Sequence, residues 1–564
     1  MSVFRPENPL IVQSDHTVLV EVDGPRYPAA RDELCRFAEL IKSPEHIHTY
    51  RITPLSIWNA CAAGVQAAEI VATLYEYSKY DVPAHVAVEI RDYASRYGRL
   101  RIERADEHLV LIAEDRPLAE EICRHKNVAP LLVERLSAIE FRVEAMSRGK
   151  LKQALVKAGY PAEDLAGYRD GENLKIELRG RSLAGQSFGL RAYQREAAEI
   201  FHASGAARGG SGVIVLPCGA GKTVVGLACM SLLQTSTLIL TTNVTATRQW
   251  VSEIIDKTTL TEGDVGEYNG EHKDVLPVTV ATYNIMTWRQ SKESDFKHLR
   301  LFDQRDWGLI IYDEVHLLPA PVFQVTAGLQ ARRRLGLTAT LVREDGREDD
   351  VFALIGPKKV DVPWKVLEHQ GWIATATCTE IRLPLPPELR MPYALADKRN
   401  KFRVASENTL KVKVVRQLLE LHRDEPILII GMYVDQIASV AGDLDVPVIT
   451  GTTSQKKRDQ LYADFKAGRL RVLAVSKVAN FAVDLPDASV AIQISGTFGS
   501  RQEEAQRLGR ILRPKAGRNQ AHFYSLVSRD TVEQEFALKR QLFLCEQGYA
   551  YEIRDGVRSE LQVG

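Results

Sequence analysis

GVIVLPCGAGKT, residues 212–223, runs from an apolar stretch through a glycine-rich turn into Lys-Thr, and the helical pattern VVGLACMSLL follows it. Strand, turn and helix in that order are the parts of a phosphate cradle, because loop N–H groups and a helix N-terminus then face one anion. Pro217, Cys218, Gly219, Ala220 and Gly221 form the turn. Lys222 is placed to reach the β and γ phosphate oxygens, and Thr223 to hold Mg²⁺. A strict pattern has glycine at position 216, where this chain has Leu216. ATP and Mg²⁺ are therefore the expected substrate and metal.

Around that stretch, short apolar runs alternate with helical patterns. GVIVLPC, STLILTT, PVTVATY, GLIIYDE and RRLGLTAT form one set, and PILIIGM, VPVITGT, LRVLAVS, VAIQIS and AHFYSLV form a second. This alternation predicts βαβ units and two consecutive parallel-sheet lobes of the RecA-like type, so the fold class is α/β. Within the first set, IIYDEVH puts Asp313 and Glu314 directly after a strand. Asp313 is expected to bind Mg²⁺, and Glu314 to orient and deprotonate the attacking water. In the second set, EEAQRLGRILRP spaces Arg507, Arg510 and Arg513 three apart, on one helix face. Guanidinium groups fixed in this way stabilise charge on a transferring phosphoryl group.

The 564 residues allow several domains, and a 26% charged, 45% hydrophobic composition is that of an ordinary globular protein. Lys plus Arg and Asp plus Glu both total 73, so any surface for a polyanion must be local. The start lacks a secretory pattern, no apolar run is long enough for a membrane span, and the seven cysteines are scattered without a C-x-x-C pair. These features point to a reducing, intracellular setting without a membrane partner.

Ahead of the lobes lies a mixed α+β extension. PLIVQSD and TVLVEVD read as strands and ARDELCRFAELI as a helix; three more helical patterns and a hairpin around Asp106 follow, the order of a winged helix. LAEEICRH, APLLVE, AIEFRVEA and GKLKQALVKAG then predict helix, strand, strand, helix, and Gly167 to Gly189 a linker. The expected divisions are 1–115, winged-helix-like; 116–185, a small α/β module with linker; 186–370, the ATP-binding lobe; 371–410, an inter-lobe segment with a short thumb; and 411–564, the second lobe.

DEVH with LTAT (337–340) resembles the superfamily 2 helicases. The resemblance implies that Thr338 and Thr340 link hydrolysis to nucleic-acid movement, that Gln194 in LRAYQREA reads the adenine edge, and that Arg191 or Tyr193 flanks it. TTNVTATRQW and VTVATYN match first-lobe strand contacts, making Thr242, Arg248, Gln249, Trp250 and Thr282 DNA-facing candidates. It assigns the arginine-finger role to Arg510 and Arg513 with Gln506 nearby, the ATP side of the second lobe to Asp484, and DNA backbone contact to Gly451 and Thr452.

LVREDG, carrying Arg343, Glu344 and Asp345, together with ISGTFGSRQEEAQRLGRILRP and the C-terminal FYSLVSRDTVEQEFALKRQLFLCEQGYAYEI, resembles the xeroderma pigmentosum group B (XPB) helicases. PLIVQSDHTVLVEV and ITPLSIWNACAAG look like the extension those helicases carry. The resemblance implies a 3′-to-5′ DNA helicase of the repair and transcription kind, with 116–185 damage-recognition-like and the Arg-Glu-Asp triplet acting in DNA opening. Its substrates are then single-stranded, forked or duplex DNA, and a repair nuclease is a candidate partner. The alternative function is a DNA-stimulated ATPase switch that remodels DNA–protein complexes without processive unwinding. Residues 385–408 are short for the family's thumb but carry Lys398, Arg399, Lys401 and Arg403. The compact chain points to a prokaryotic, cytoplasmic member, associated with the nucleoid when on DNA.

Overall fold

The computed structural model describes residues 4–42, 46–105, 108–144, 147–183, 185–206, 209–217, 219–290, 297–319, 322, 332–339, 348–362, 364–476, 488–496, 520–546, 549 and 551–556. Cys218, Thr340, Arg343, Glu344, Asp345, Asp484, Gln506, Arg507, Arg510 and Arg513 lie outside these residues.

Both expected lobes are present. In the first, seven parallel strands run in the spatial order Val265–Tyr268, Val278–Thr282, Thr237–Thr241, Leu309–Asp313, Arg333–Thr338, Ser211–Val215 and Lys358–Asp361. In the second, the order is Val448–Ile449, Val472–Ser476, Ile427–Gly431, Val490–Gln493, Gln520–Ser528, Thr375–Leu383 and Tyr551–Asp555, again all parallel. The central strands are continuous apolar runs because helices cover both faces of each sheet. Ser211–Val215, Thr237–Thr241, Ile427–Gly431 and Val472–Ser476 are buried along their whole length.

Thr375–Leu383 corrects the expected division at 371–410. Those nine residues are an interior strand of the second sheet, paired on both sides, so that lobe begins before the thumb. The thumb region itself is a pair of helices, Pro387–Leu395 and Lys398–Ser406.

The N-terminal part also departs from expectation. ARDELCRFAELI divides into the helix Tyr27–Leu34 and the strand Glu39–Lys42, which joins an antiparallel four-stranded sheet with Leu10–Val12, Thr17–Glu21 and Ile47–Arg51. The hairpin Leu100–Ala105 and His108–Ala113 is not the wing of the preceding three helices. It pairs instead with Glu140–Val143 on one side and Ala162–Asp164 on the other, in a five-stranded sheet with Leu132–Arg135. The winged-helix grouping and a division at 115 are thus overturned by a strand partner far along the chain. The linker segment is not free either. Ile176 is fully buried in the first-lobe core, and Asn173 and Leu178 bridge to Thr235 and Thr258.

The extension touches both lobes. Trp58, Val156, Phe352 and Ala353 share one apolar cluster that joins both N-terminal units to the first lobe. Cys545, on the last helix of the second lobe, is buried in the core of the four-stranded unit. Among the described residues, no single helix is long and apolar enough to cross a membrane; the bent pair Pro54–Ala62 and Ala67–Tyr77 passes by length and composition, but contributes Ile57, Ile70 and Leu74 to that same core.

Candidate nucleotide site at the seam

Leu216 directly follows the central strand: its N–H donates to Thr338 O at 3.0 Å and its side chain is fully buried. The position where glycine was expected is therefore still tied to the neighbouring strand end, and its apolar side chain is buried there. Gly219 and Gly221 each take φ +80°, the left-handed region that a side chain disfavours. A Cβ at Gly221 would also lie 2.6 Å from Gln194 Nε2, so glycine is required twice over. The helix Lys222–Leu233 starts directly after it, with its N-terminal N–H groups at the loop.

Gln194 has a different place from the one expected. It is buried, its Nε2 donates to Ala220 O at 3.0 Å, and its Oε1 accepts from Arg191 N at 3.0 Å. Tyr193 Oη donates to the same Ala220 carbonyl at 2.7 Å. Both side chains brace the cradle from outside, and the Gln194 amide is engaged at both ends rather than held toward a base. Arg191 donates to Tyr193 Oη at 3.1 Å and lies 4.5 Å from the ring of Trp372. That stack links the cradle to the chain entering the second lobe.

The two carboxylates have distinct surroundings. Asp313 ends its strand, and its Oδ2 accepts from the indole Nε1 of Trp250 at 3.0 Å; its carbonyl accepts from Tyr283 Oη at 2.9 Å. Burial and the neighbouring Glu314 charge push the Asp313 carboxyl up to about 6. Glu314 has φ +49°, an uncommon conformation for a side-chain-bearing residue and typical of strained functional turns. Its Oε1 accepts from Lys222 Nζ at 2.8 Å, and His316 Nδ1 lies 3.6 Å from Oε2. Burial works to raise the Glu314 carboxyl, but the charges of Lys222 and His316 outweigh it and hold it below the usual range. Among the described residues, Oε2 is buried and has no hydrogen-bond partner. A buried acceptor left open in this way suits a group that must take a proton.

Trp250 was expected to face DNA, and it does not. It is 2% exposed, its ring fills the space over Gly226, and a Cβ at Gly226 would sit 2.5 Å from that ring. Its indole Nε1 holds the Asp313 carboxylate instead. Thr282 is buried, and its hydroxyl accepts from Ile285 N at 3.3 Å as a cap on the following turn. Thr338 is fully buried and hydrogen-bonded to His316 Nδ1 at 2.6 Å, so a chain of contacts runs from Glu314 through His316 to the strand end. Arg248, Gln249, Gly451 and Thr452 are exposed; Thr242 is half-buried, and Arg248 pairs with Glu271 at 3.0 Å.

Tyr283, His316 and Gly226 are site residues that the sequence reading did not assign. His316 stands inside the DEVH stretch itself, and a glycine within an apolar helix is a recognised sign of close approach. Tyr283 carries no comparable signal. The donor set tests well for Mg²⁺, since the Thr223 hydroxyl and the Asp313 carboxylate are hard oxygen ligands on adjoining elements.

Known families and relatives match the chain along most of its length. The family model described as ERCC3/RAD25/XPB C-terminal helicase matches residues 367–561. Models described as helicase conserved C-terminal domain and as type III restriction enzyme, res subunit, match 10–137 and 187–343. The chain is 54% identical over 550 residues to the DNA 3′-5′ helicase XPB of Kineococcus radiotolerans, covering 97% of each chain. It is also 54% identical to the protein of that name from Mycobacterium tuberculosis, covering 97% of this chain and 98% of the other. To the general transcription and DNA repair factor IIH helicase/translocase subunit XPB of Enterocytozoon bieneusi it is 32% identical, over 96% of this chain and 92% of that one. With half its residues shared along nearly its whole length, the chain belongs to the XPB family of DNA helicases.

Proposed function

We propose that this chain hydrolyses ATP with Mg²⁺ at the first lobe and uses the energy to move 3′-to-5′ along DNA and open the duplex, in DNA repair. The observation that carries this reading is the Lys222–Glu314–Asp313 constellation, with Asp313 fixed by Trp250 and one Glu314 oxygen left open. Mg²⁺, held by Thr223 and Asp313, would neutralise charge developing on the phosphates. Lys222 has two partners to choose between. At rest it pairs with Glu314; a nucleotide phosphate draws the same ammonium group away. Glu314 then loses the charge that depresses its carboxyl and becomes a better proton acceptor as substrate arrives. His316 and Thr338 carry the change at Glu314 toward the end of strand Arg333–Thr338, and the family resemblance supports Thr340 as the next residue in that coupling.

Exposed Arg248, Gln249, Gly451 and Thr452 are the proposed backbone contacts, with Thr242 at the edge of that surface. The family resemblance supports Arg510, Arg513 and Gln506 as the groups that complete the site from the second lobe, with Asp484 beside the nucleotide. It likewise supports Arg343, Glu344 and Asp345 at the DNA opening. The proposed setting is DNA inside the cell, with a repair nuclease acting on the opened strand.

Forked duplexes with a 3′ or a 5′ single-stranded tail test the proposal under multiple turnover. ATP-dependent strand release from the 3′-tailed fork, and not from the 5′-tailed one, is the expected result. DNA-stimulated ATP hydrolysis without strand release on either fork would replace it with the remodelling-switch reading.

A further inference from the structure

At the N-terminal ends of two interior strands of the second sheet, Ile427–Gly431 and Gln520–Ser528, the side chains of His422, Glu425 and His522 come together. One ligand atom from each lies within 4.8 Å of the other two. We propose that these three side chains form a binding site for a transition-metal ion of the zinc class, which ties the end of helix Leu410–Leu421 to strand Gln520–Ser528.

The backbone presents them in fixed positions. His422 caps the helix through its N–H to Leu418 O at 3.0 Å, and Glu425 N closes a turn onto His422 O at 3.1 Å. Arg471 Nη1 donates to the same carbonyl at 3.1 Å. The turn therefore sets a His-x-x-Glu pair just before strand Ile427–Gly431, and His422 Nδ1 lies 3.5 Å from Glu425 Oε1. Tetrahedral zinc with bonds of about 2.0–2.1 Å separates its ligand atoms by about 3.4 Å, so this pair already has the spacing. His522 comes from a strand two positions over in the sheet. Its ring centre is 4.8 Å from that of His422, at an interplanar angle of 43°.

The other nitrogen of His422 also has a partner. Nε2 lies 2.9 Å from Tyr524 Oη, and both groups are buried. With the proton on Nε2, the imidazole donates to the phenol and turns the Nδ1 lone pair toward Glu425. An outer hydrogen bond that fixes tautomer and ring direction is the usual support for a metal-bound imidazole. Tyr524 reaches that position because it is two residues from His522 on one face of the strand, with the two rings stacked at 15°. Two imidazole nitrogens and one carboxylate oxygen select zinc, cobalt or nickel over Mg²⁺ or Ca²⁺, which prefer oxygen alone. Three protein ligands leave a fourth position for water.

Since none of the three residues belongs to the Lys222, Asp313 and Glu314 constellation, the metal acts on stability and not on hydrolysis. The test uses the full chain, stripped with chelator and kept in Mg²⁺ buffer, titrated with Zn²⁺ by calorimetry and followed by thermal unfolding. Co²⁺ substitution gives a visible spectrum that reports its coordination. The wild type should take up one more Zn²⁺ than His522→Gln and gain a Tm increase of about 3 °C or more that this variant lacks. Glu425→Gln should weaken binding by about tenfold or more, and Tyr524→Phe by about 10–100-fold. His522→Gln should keep its DNA-stimulated ATPase. Equal stoichiometry and equal Tm response in wild type and His522→Gln, or no saturable uptake by the wild type, would overturn the proposal. Should His422→Ala fail to fold, the His522→Gln and Glu425→Gln comparisons decide.

Discussion

Each parallel-sheet lobe holds a lysine–glutamate pair away from bulk water, and the two are finished differently. In the first, Lys222 and Glu314 meet at 2.8 Å with side chains 13% and 15% exposed, and among the described residues Glu314 Oε2 has no hydrogen-bond partner. In the second, Lys411 and Glu533 are each 1% exposed, and the pair is hydrogen-bonded at every polar side-chain atom. Lys411 Nζ donates to Glu533 Oε1 at 2.7 Å, to Oε2 at 2.9 Å and to Ile494 O at 2.8 Å; Glu533 Oε2 also accepts from Ser528 N at 2.9 Å. The chemistry of the two pairs is the same, and the number of completed hydrogen bonds separates their roles. A saturated buried pair fixes structure, whereas one with an open acceptor and a displaceable cation can do work.

Substitutions can break this contrast. Lys222→Ala should have the largest effect, lowering ATP turnover by about 10³-fold or more through loss of the phosphate cation. Circular dichroism and thermal unfolding should show the fold retained. The counterpart, Lys411→Met, leaves Glu533 buried without its cation and should cost about 3–5 kcal/mol of unfolding free energy in denaturant titration. Lys411→Met with Glu533→Gln should recover part of that loss, because the stranded charge is then gone.

Two smaller effects sharpen the account of the seam. Trp250→Phe keeps most of the ring over Gly226 and removes only the donor to Asp313. Apparent Mg²⁺ affinity in the ATPase assay should fall by about 10–100-fold, with the ATP KM moved less. Asp313→Asn should abolish hydrolysis yet stabilise the protein at neutral pH. The folded carboxyl titrates near 6, above its ordinary 3.8, so its ionised form destabilises the fold as pH rises through that window. Removing the charge should therefore add roughly 1–3 kcal/mol above pH 6 and nothing below about pH 4, as read from thermal unfolding across pH.

Much of this was legible in the sequence where the information is local. GVIVLPCGAGKT and IIYDEVH announce a strand, a cradle and a paired carboxylate because each is set by neighbours within a few residues. Lys411 and Glu533 stand 122 residues apart, and nothing local marks them as partners. The hairpin at Leu100–Ala113 misled for the same reason, since its true neighbours Glu140–Val143 and Ala162–Asp164 come later in the chain. Trp250 was legible as a residue near the site but not in its role. A tryptophan on the helix after a strand reads alike whether it faces solvent or turns inward over a glycine. The burial of Thr282 and Thr338 escaped similarly, because a threonine at a strand end can cap a turn or meet a ligand.

The most direct test measures DNA-stimulated ATPase and unfolding free energy side by side for Glu314→Gln and Glu533→Gln. The open-acceptor account predicts that Glu314→Gln loses turnover while still binding ATP, and keeps its stability within about 1 kcal/mol of wild type. It predicts that Glu533→Gln loses about 3 kcal/mol or more while its remaining folded fraction still hydrolyses ATP. Retained turnover in Glu314→Gln, or a loss of stability there matching that of Glu533→Gln, would contradict it.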